Sequence, residues 1–328
     1  MNNPDTENNQ PVEVIDGNES IELNGSWEKK GRSITAAAYA ALLGIGVLYF
    51  NVQSIVMMVI FFMYQAMSPA DIPGDFMERM KSITENLKVP ILVALVISQF
   101  LFMFYPTIWI VKRWHTHEVK KYLRIRWCSF KEIILAVLIT IAMLPFCYYV
   151  SYLLLDSLDI PEVVRNMGSE LFTANSVFEL IMLILVIAVT PAICEEVFFR
   201  GYVQRTMERT NGMKSFIITG IVFGLFHFQP LSLISLSILG VLFSFFYYRS
   251  KSIFPSSAAH FTNNFIAIML LYLSSQSMFG SSLEEGNIPI IWVILSTLVA
   301  AGLIVVYVKI TITQVDGEIE YRIPNQEY

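Results

Sequence analysis

Five polar residues stand inside, or at the ends of, strongly apolar stretches of this chain: Glu195 and Glu196, His227, and His260 with Asn264. An ionisable side chain in the middle of a bilayer costs at least about 2.5–3.5 kcal/mol on insertion scales, so such residues pair, line a cavity or carry function. A carboxylate and an imidazole can share the activation of one water. A second imidazole and a carboxamide can stabilise the oxyanion that results. The set therefore suits hydrolysis.

Spacing divides the labour. Glu196 and Arg200 are four apart, in the favourable acid-before-base order on one helix face. Glu195 is rotated by about 100° from Glu196 and points elsewhere, into the bundle. Glu196 is thus expected to be braced by Arg200 and Glu195 to be free to act; the plainer alternative is a helix end whose charges reach the interface. Pro191 cannot donate to Ile187, so the helix should kink just before the glutamates and free a carbonyl that needs a partner. Phe223 and His227 share a face, as do His260 and Asn264, while Asn263 points away. A structural hydrogen bond is the alternative for His227, and an interhelical clamp for His260 and Asn264. No serine sits in a nucleophile-elbow pattern and Cys194 faces away from Glu195, so water is the expected nucleophile.

The elements that must position these residues are membrane spans. The chain has 328 residues, 55% hydrophobic and only 15% charged, with a mean hydropathy of +0.57; a soluble domain carries nearer ~25% charged residues. The fold class expected is all-α, a polytopic membrane bundle of about eight helices at 36–66, 90–112, 131–154, 175–199, 215–230, 232–248, 253–274 and 288–309. The fifth and sixth are short and joined by a tight turn at Pro230. Residues 1–24 are acidic and polar and are expected to be disordered; 25–310 form the membrane domain, with its core at about 175–275, and 311–328 a polar tail.

Basic residues fill alternate loops: Lys29, Lys30 and Arg32; then Lys112 to Arg126; then Arg205, Arg209 and Lys214; then Arg249 and Lys251. By the positive-inside rule both termini are expected in the cytoplasm. The acidic start, without a basic region and apolar core, argues against a cleaved signal peptide. Residues 73–88 carry Phe76, Met77, Met80, Ile83 and Leu87 near helical spacing, which suits an interfacial or a solvated connector helix; 161–173 resemble them more weakly. Cys128, Cys147 and Cys194 are scattered, suggesting neither a disulfide frame nor a thiolate metal site. No basic stripe supports nucleic-acid binding.

Glu-Glu-x-x-x-Arg, then Phe-x-x-x-His, then His-x-x-x-Asn, in that order on three hydrophobic segments, resembles the CAAX prenyl protease and bacteriocin-processing (Abi) family of intramembrane proteases. The motifs cover about 195–264; the first two spans and the N-terminal tail carry none of the family's motifs. The resemblance implies that Glu195 and His227 activate water, that His260 and Asn264 bind the oxyanion, and that Glu196 and Arg200 shape the site beside Phe223. It further implies cleavage of a peptide near the cytoplasmic face, CAAX-type or otherwise lipidated or membrane-borne, in the cytoplasmic membrane of a prokaryote. No cofactor is favoured, although Glu195, His227 and His260 have the chemistry to hold zinc.

Two further readings belong to other classes. One is a non-hydrolytic immunity or scaffold protein that keeps the site for peptide binding. The other is an ion-coupled transporter, which would show paired repeats with broken helices in both halves; none is visible here. Specificity should reside in cavity walls from spans two to seven. One geometrical demand follows from the motifs: His227 lies about 20 Å into its span, so Glu195 meets it only if the fourth helix continues past Arg200 towards Arg209.

Overall fold

A computed structural model describes residues 12–16, 19–67, 76–158, 169–275, 288–311 and 320–322. After a short turn α1 (Ser26–Lys29) come α2 (Ile34–Met67) and α3, which opens as Phe76–Gln99 and carries on through Phe100–Phe104, Tyr105–Ile110 and Val111–His115. Then follow α4 (Phe130–Ser157), α5 (Val177–Asn211), α6 (Lys214–Phe226), α7 (Leu233–Ser250), α8 (Ile253–Ser275) and α9 (Ile290–Ile310). The bundle is inside out relative to a soluble protein. Leu43, Phe62, Trp109 and Leu298 lie exposed on its periphery, while Glu196, Arg200 and Gln204 are wholly buried. Lipid, not water, suits such a surface.

Among the described residues six helices are long and apolar enough to cross a membrane: α2, α3 from Leu87, α4, α5, α7 with its preceding turn from Pro230, and α9. The remaining two of the eight expected segments are helical but fall short of that standard. α6 is a shorter apolar helix, and α8 carries His260, Thr262, Asn263 and Asn264 in its middle. The segment expected as a separate interfacial helix at 73–88 is instead the start of α3 from Phe76, because Pro90 alone does not end the helix. Residues 73–75 and 161–168 lie outside the described residues; Ser169–Phe172 forms a single helical turn.

The all-α bundle carries one addition. Where composition suggests disorder over 1–24, β1 (Val12–Asp16) and β2 (Glu19–Leu23) form an antiparallel pair, and β3 (Glu320–Arg322) adds to the other side of β1. The reason is local alternation: Ile21 and Leu23 are buried in the cluster that holds Tyr122 and Leu123, while Glu22 between them faces out. Pairing of β1 with β3 brings residues 13–15 beside residues 320–322.

The N-terminal segment is tied to the helices by ion pairs. The Gly25 amide donates to the His115 carbonyl at 2.7 Å, and Trp27 packs on Trp114 with ring centroids 4.7 Å apart. Glu28 accepts from Arg209 Nη1 at 2.6 Å and Nη2 at 3.0 Å, and pairs with His115 Nδ1 at 2.5 Å. Burial alone would push the Glu28 carboxyl up from 4.5, but hydrogen bonds from His115 and Arg209 and their charges hold it down at about 2. A folded-state value below the unfolded one stabilises above the unfolded value and is lost as pH falls through the folded one. Hydrogen-exchange protection of the Gly25 amide should therefore hold at pH 6 and decline from about 4.5 towards about 2. In Glu28→Gln the protection should already be weak at pH 6; protection equal to wild type would show that the carboxylate does not anchor this segment.

The site depends on α5 and α6. α5 does not stop at residue 199, where hydropathy ends, but runs unbroken to Asn211, so the continuation demanded by the motifs is present. From Glu195 to Asn211 the helix covers about 20–24 Å, and α6 returns about 20 Å from Lys214 to His227. The acid and the imidazole thus reach the same depth. α6 then lies flush on α7: a Cβ at Gly220 would strike the Val241 backbone, and one at Gly240 the Gly220 carbonyl. This is the close approach that small residues four apart permit.

Candidate active site

Glu195 and Glu196 occupy a helical stretch, Thr190–Glu196, bracketed by two wider π-helical stretches, Ile184–Val189 and Val197–Gln204. Such widened turns shift side-chain register and are frequent at functional sites. Pro191 leaves the Ile187 carbonyl without its helical donor, and the missing partner is supplied from α8: Asn264 Nδ2 donates to Ile187 O at 2.7 Å. The Thr190 hydroxyl donates to Leu185 O at 2.8 Å. Asn263 Nδ2 donates to Asn264 Oδ1 at 2.9 Å, so the residue that points away from the His260 face holds its neighbour's amide in place.

Behind the glutamates lies a dry ionic knot. Arg200 Nη1 donates to Glu196 Oε1 at 2.7 Å, with both side chains wholly buried, and Arg200 Nη2 donates to Gly240 O at 3.1 Å. His260 Nδ1 meets the same Glu196 oxygen at 2.8 Å. A carboxylate accepts, so Nδ1 carries the proton and Nε2 is the free nitrogen of His260. The guanidinium sits 4.4 Å from the centroid of Phe223 and 5.5 Å from that of Phe243. Phe243 stacks on His260 at 5.3 Å, while Phe223 meets His227 edge-on at 4.7 Å. Glu196 is thus braced by Arg200 and in turn fixes His260.

Glu195 faces the other way, into a cavity of about 170 Å³ lined by Tyr49, Phe50, Met103, Glu195, Phe226 and His227. Its Oε1 accepts from Gln99 Nε2 at 3.4 Å. Its Oε2 is buried without a hydrogen-bond partner and lies 4.0 Å from His260 Nε2. His227 caps α6, and its Nδ1 lies 2.8 Å from Phe223 O. A carbonyl can only accept, so Nδ1 is the donor and Nε2 keeps a lone pair for a proton. Phe228 follows with a left-handed φ of 50°, a strained conformation for a bulky residue that ends the helix at the histidine.

The expected residues therefore fall into two groups. Glu195 and His227 share the cavity, and His260 reaches Glu195 from the knot. Asn264 is within the same helical turn as His260 but spends one amide hydrogen on Ile187, with one still free. As for zinc, among the described residues no three His, Cys, Asp or Glu side chains converge as a metal site requires. Glu195, His227 and His260 do not close into a ligand set in this geometry.

Some site residues escaped the motifs. Tyr49 and Phe50 come from α2, so the cavity wall is not confined to spans two to seven. Gln99 and Met103 come from α3, and Phe243 from α7. These are aromatic or neutral residues in apolar helices, and only a buried glutamine at mid-span gives any signal in the sequence.

Residues 177–266 match the model of the family described as type II CAAX prenyl endopeptidase Rce1-like. The chain is also similar to the Bacillus subtilis (strain 168) protein named "Putative membrane peptidase YdiL", with 30% identity over 125 residues, covering 35% of this chain and 51% of that one. The chain thus spans about half the length of this relative. No solved structure matches.

Proposed function

We propose, from a chain whose residues 177–266 match the model of the type II CAAX prenyl endopeptidase Rce1-like family, that the protein is an intramembrane endopeptidase in which Glu195 and His227 activate water. The observation that carries this reading is the shared cavity: Glu195, one of whose oxygens has no hydrogen-bond partner, and His227, whose Nδ1 is already engaged, line one space. A water there can give its proton to Glu195 Oε2 while hydrogen-bonding to His227 Nε2. Its oxygen attacks the peptide carbonyl carbon, and the C–O bond forms as the carbonyl becomes an oxyanion. The free hydrogen of Asn264 Nδ2 stabilises that oxyanion, as does His260 Nε2 when the ring carries its second proton. The proton held by Glu195 then passes to the amide nitrogen as the C–N bond breaks.

This route needs no metal. The basic loops and the paired chain ends support a cytoplasmic location for both termini, and with it cleavage from that side of the cytoplasmic membrane of a prokaryote. The substrate class is a peptide that can enter from the bilayer, lipidated at a cysteine a few residues before its C-terminus or simply apolar.

The test is cleavage of a quenched peptide library by detergent-purified protein, with each peptide offered prenylated and unprenylated. Cleavage confined to prenylated members supports CAAX-type specificity, and cleavage of both supports a broader membrane peptidase. A wild type that cuts nothing while retaining peptides would favour the scaffold reading and overturn this one. Metal analysis of the active sample checks the mechanism, since stoichiometric zinc lost together with activity on chelation would overturn the metal-free route.

A further inference from the structure

The family match begins at Val177, yet the hydrogen-bond donor to Glu195 comes from α3 and one wall of its cavity from α2. Gln99 is buried, and its Nε2 donates to Glu195 Oε1 at 3.4 Å. The same side chain lies near the hydroxyl of Tyr49, a residue that lines the cavity beside Glu195 and His227. A carboxamide nitrogen has two hydrogens, enough for both partners. Turned the other way, the Gln99 oxygen would face a carboxylate and be repelled, so the network fixes the orientation.

A lone carboxylate rotates through a broad, two-fold torsion, and either oxygen can face the reaction. A donor on Oε1 removes that ambiguity and leaves Oε2 as the oxygen without a partner. The contrast with Glu196 is instructive. Glu196 is clamped by a guanidinium, which uses up its charge; Glu195 is held by a neutral amide, which orients it and leaves the charge for the water. We propose, building on the hydrolytic reading above, that Gln99 is a positioning residue that aims Glu195 Oε2 at the attacking water, and that Tyr49 holds the Gln99 amide in place. The site is thus completed by helices outside the segment that matches the family model.

The test uses the full chain in detergent, wild type beside Gln99→Leu, Gln99→His and Tyr49→Phe, on the library peptide that wild type cuts best. Gln99→Leu should lower kcat by about 10–100-fold, the scale of a misaimed catalytic group, at nearly unchanged KM and melting temperature. Gln99→His, which restores an N–H donor, should recover part of the loss, and Tyr49→Phe should show a smaller one. A second readout needs no turnover: modification of Glu195 by dicyclohexylcarbodiimide at one pH, located by peptide mass spectrometry with Glu195→Gln as the blank. Freed of its donor, the Glu195 oxygen should add to the reagent several-fold faster in Gln99→Leu. Wild-type kcat in Gln99→Leu would overturn the proposal, as would kcat, KM and melting temperature falling together without rescue. If wild type cuts no peptide, the hydrolytic reading fails and the labelling alone decides the contact: equal labelling of wild type and Gln99→Leu overturns it.

Discussion

Glu195→Gln should lower peptide cleavage by about 10²–10⁴-fold, the usual contribution of a general base, with the melting temperature close to that of wild type. The two effects separate because Glu195 is held lightly. Its hydrogen bond to Gln99 is long, at 3.4 Å, and its other oxygen has no partner to lose. A glutamine fills the same space and keeps the cavity polar, but cannot take a proton from water. His227→Ala should fall in the same range, and the double variant should be little worse than either single one, because both groups act on one water. Initial rates on the best library peptide, read beside thermal unfolding of the same samples, decide it. A Glu195→Gln protein that retains more than about a tenth of the rate is not using this carboxylate as its general base.

Arg200→Ala should be a stability variant first. It removes the guanidinium from a wholly buried pair, and stranding a buried charge costs about 3–5 kcal/mol. The Gly240 carbonyl and the two phenylalanine faces lose a partner as well. A marked drop in melting temperature and in yield from the membrane is expected. The companion variant tells cause from effect. Replacing Arg200 by Met and Glu196 by Leu together removes both charges, so much of the stability should return. Cleavage should not return, because His260 Nδ1 has lost the carboxylate that orients it. If the double variant regains cleavage, the knot serves folding alone; if Arg200→Ala melts like wild type, the pair is not the keystone of the core.

The two glutamates show how far a sequence can be read. The bracing of Glu196 by Arg200 follows from a four-residue spacing on one helix, and such local relations survive folding intact. Pro191 is an intermediate case. The freed carbonyl of Ile187 is a chemical necessity on the sequence alone, but its donor, Asn264, lies 77 residues on, and no spacing rule selects it over a water. Gln99 and Tyr49 are the opposite extreme. They meet Glu195 only through the packing of α2 and α3 on α5, and neither stands in a periodic pattern. The terminal strands are hard to read from sequence for a different reason. Their polar composition outweighs a short alternation of apolar residues, and the partner strand β3 lies at the other end of the chain. α6 blurs the span count because it is short, and α8 because the polar residues that build the site lower its hydropathy.

The hairpin of α5 and α6 has arms of nearly equal length measured from its turn at Gly212. A ruler folded at its middle keeps its two marks level however deeply it is pushed into a slab. Glu195 and His227 are such marks: a thinner or thicker bilayer carries both up or down together and leaves their separation alone. Assembly of the site is thereby insulated from the lipid around it, and bilayer thickness is left to govern only which bond of an incoming peptide arrives at that height.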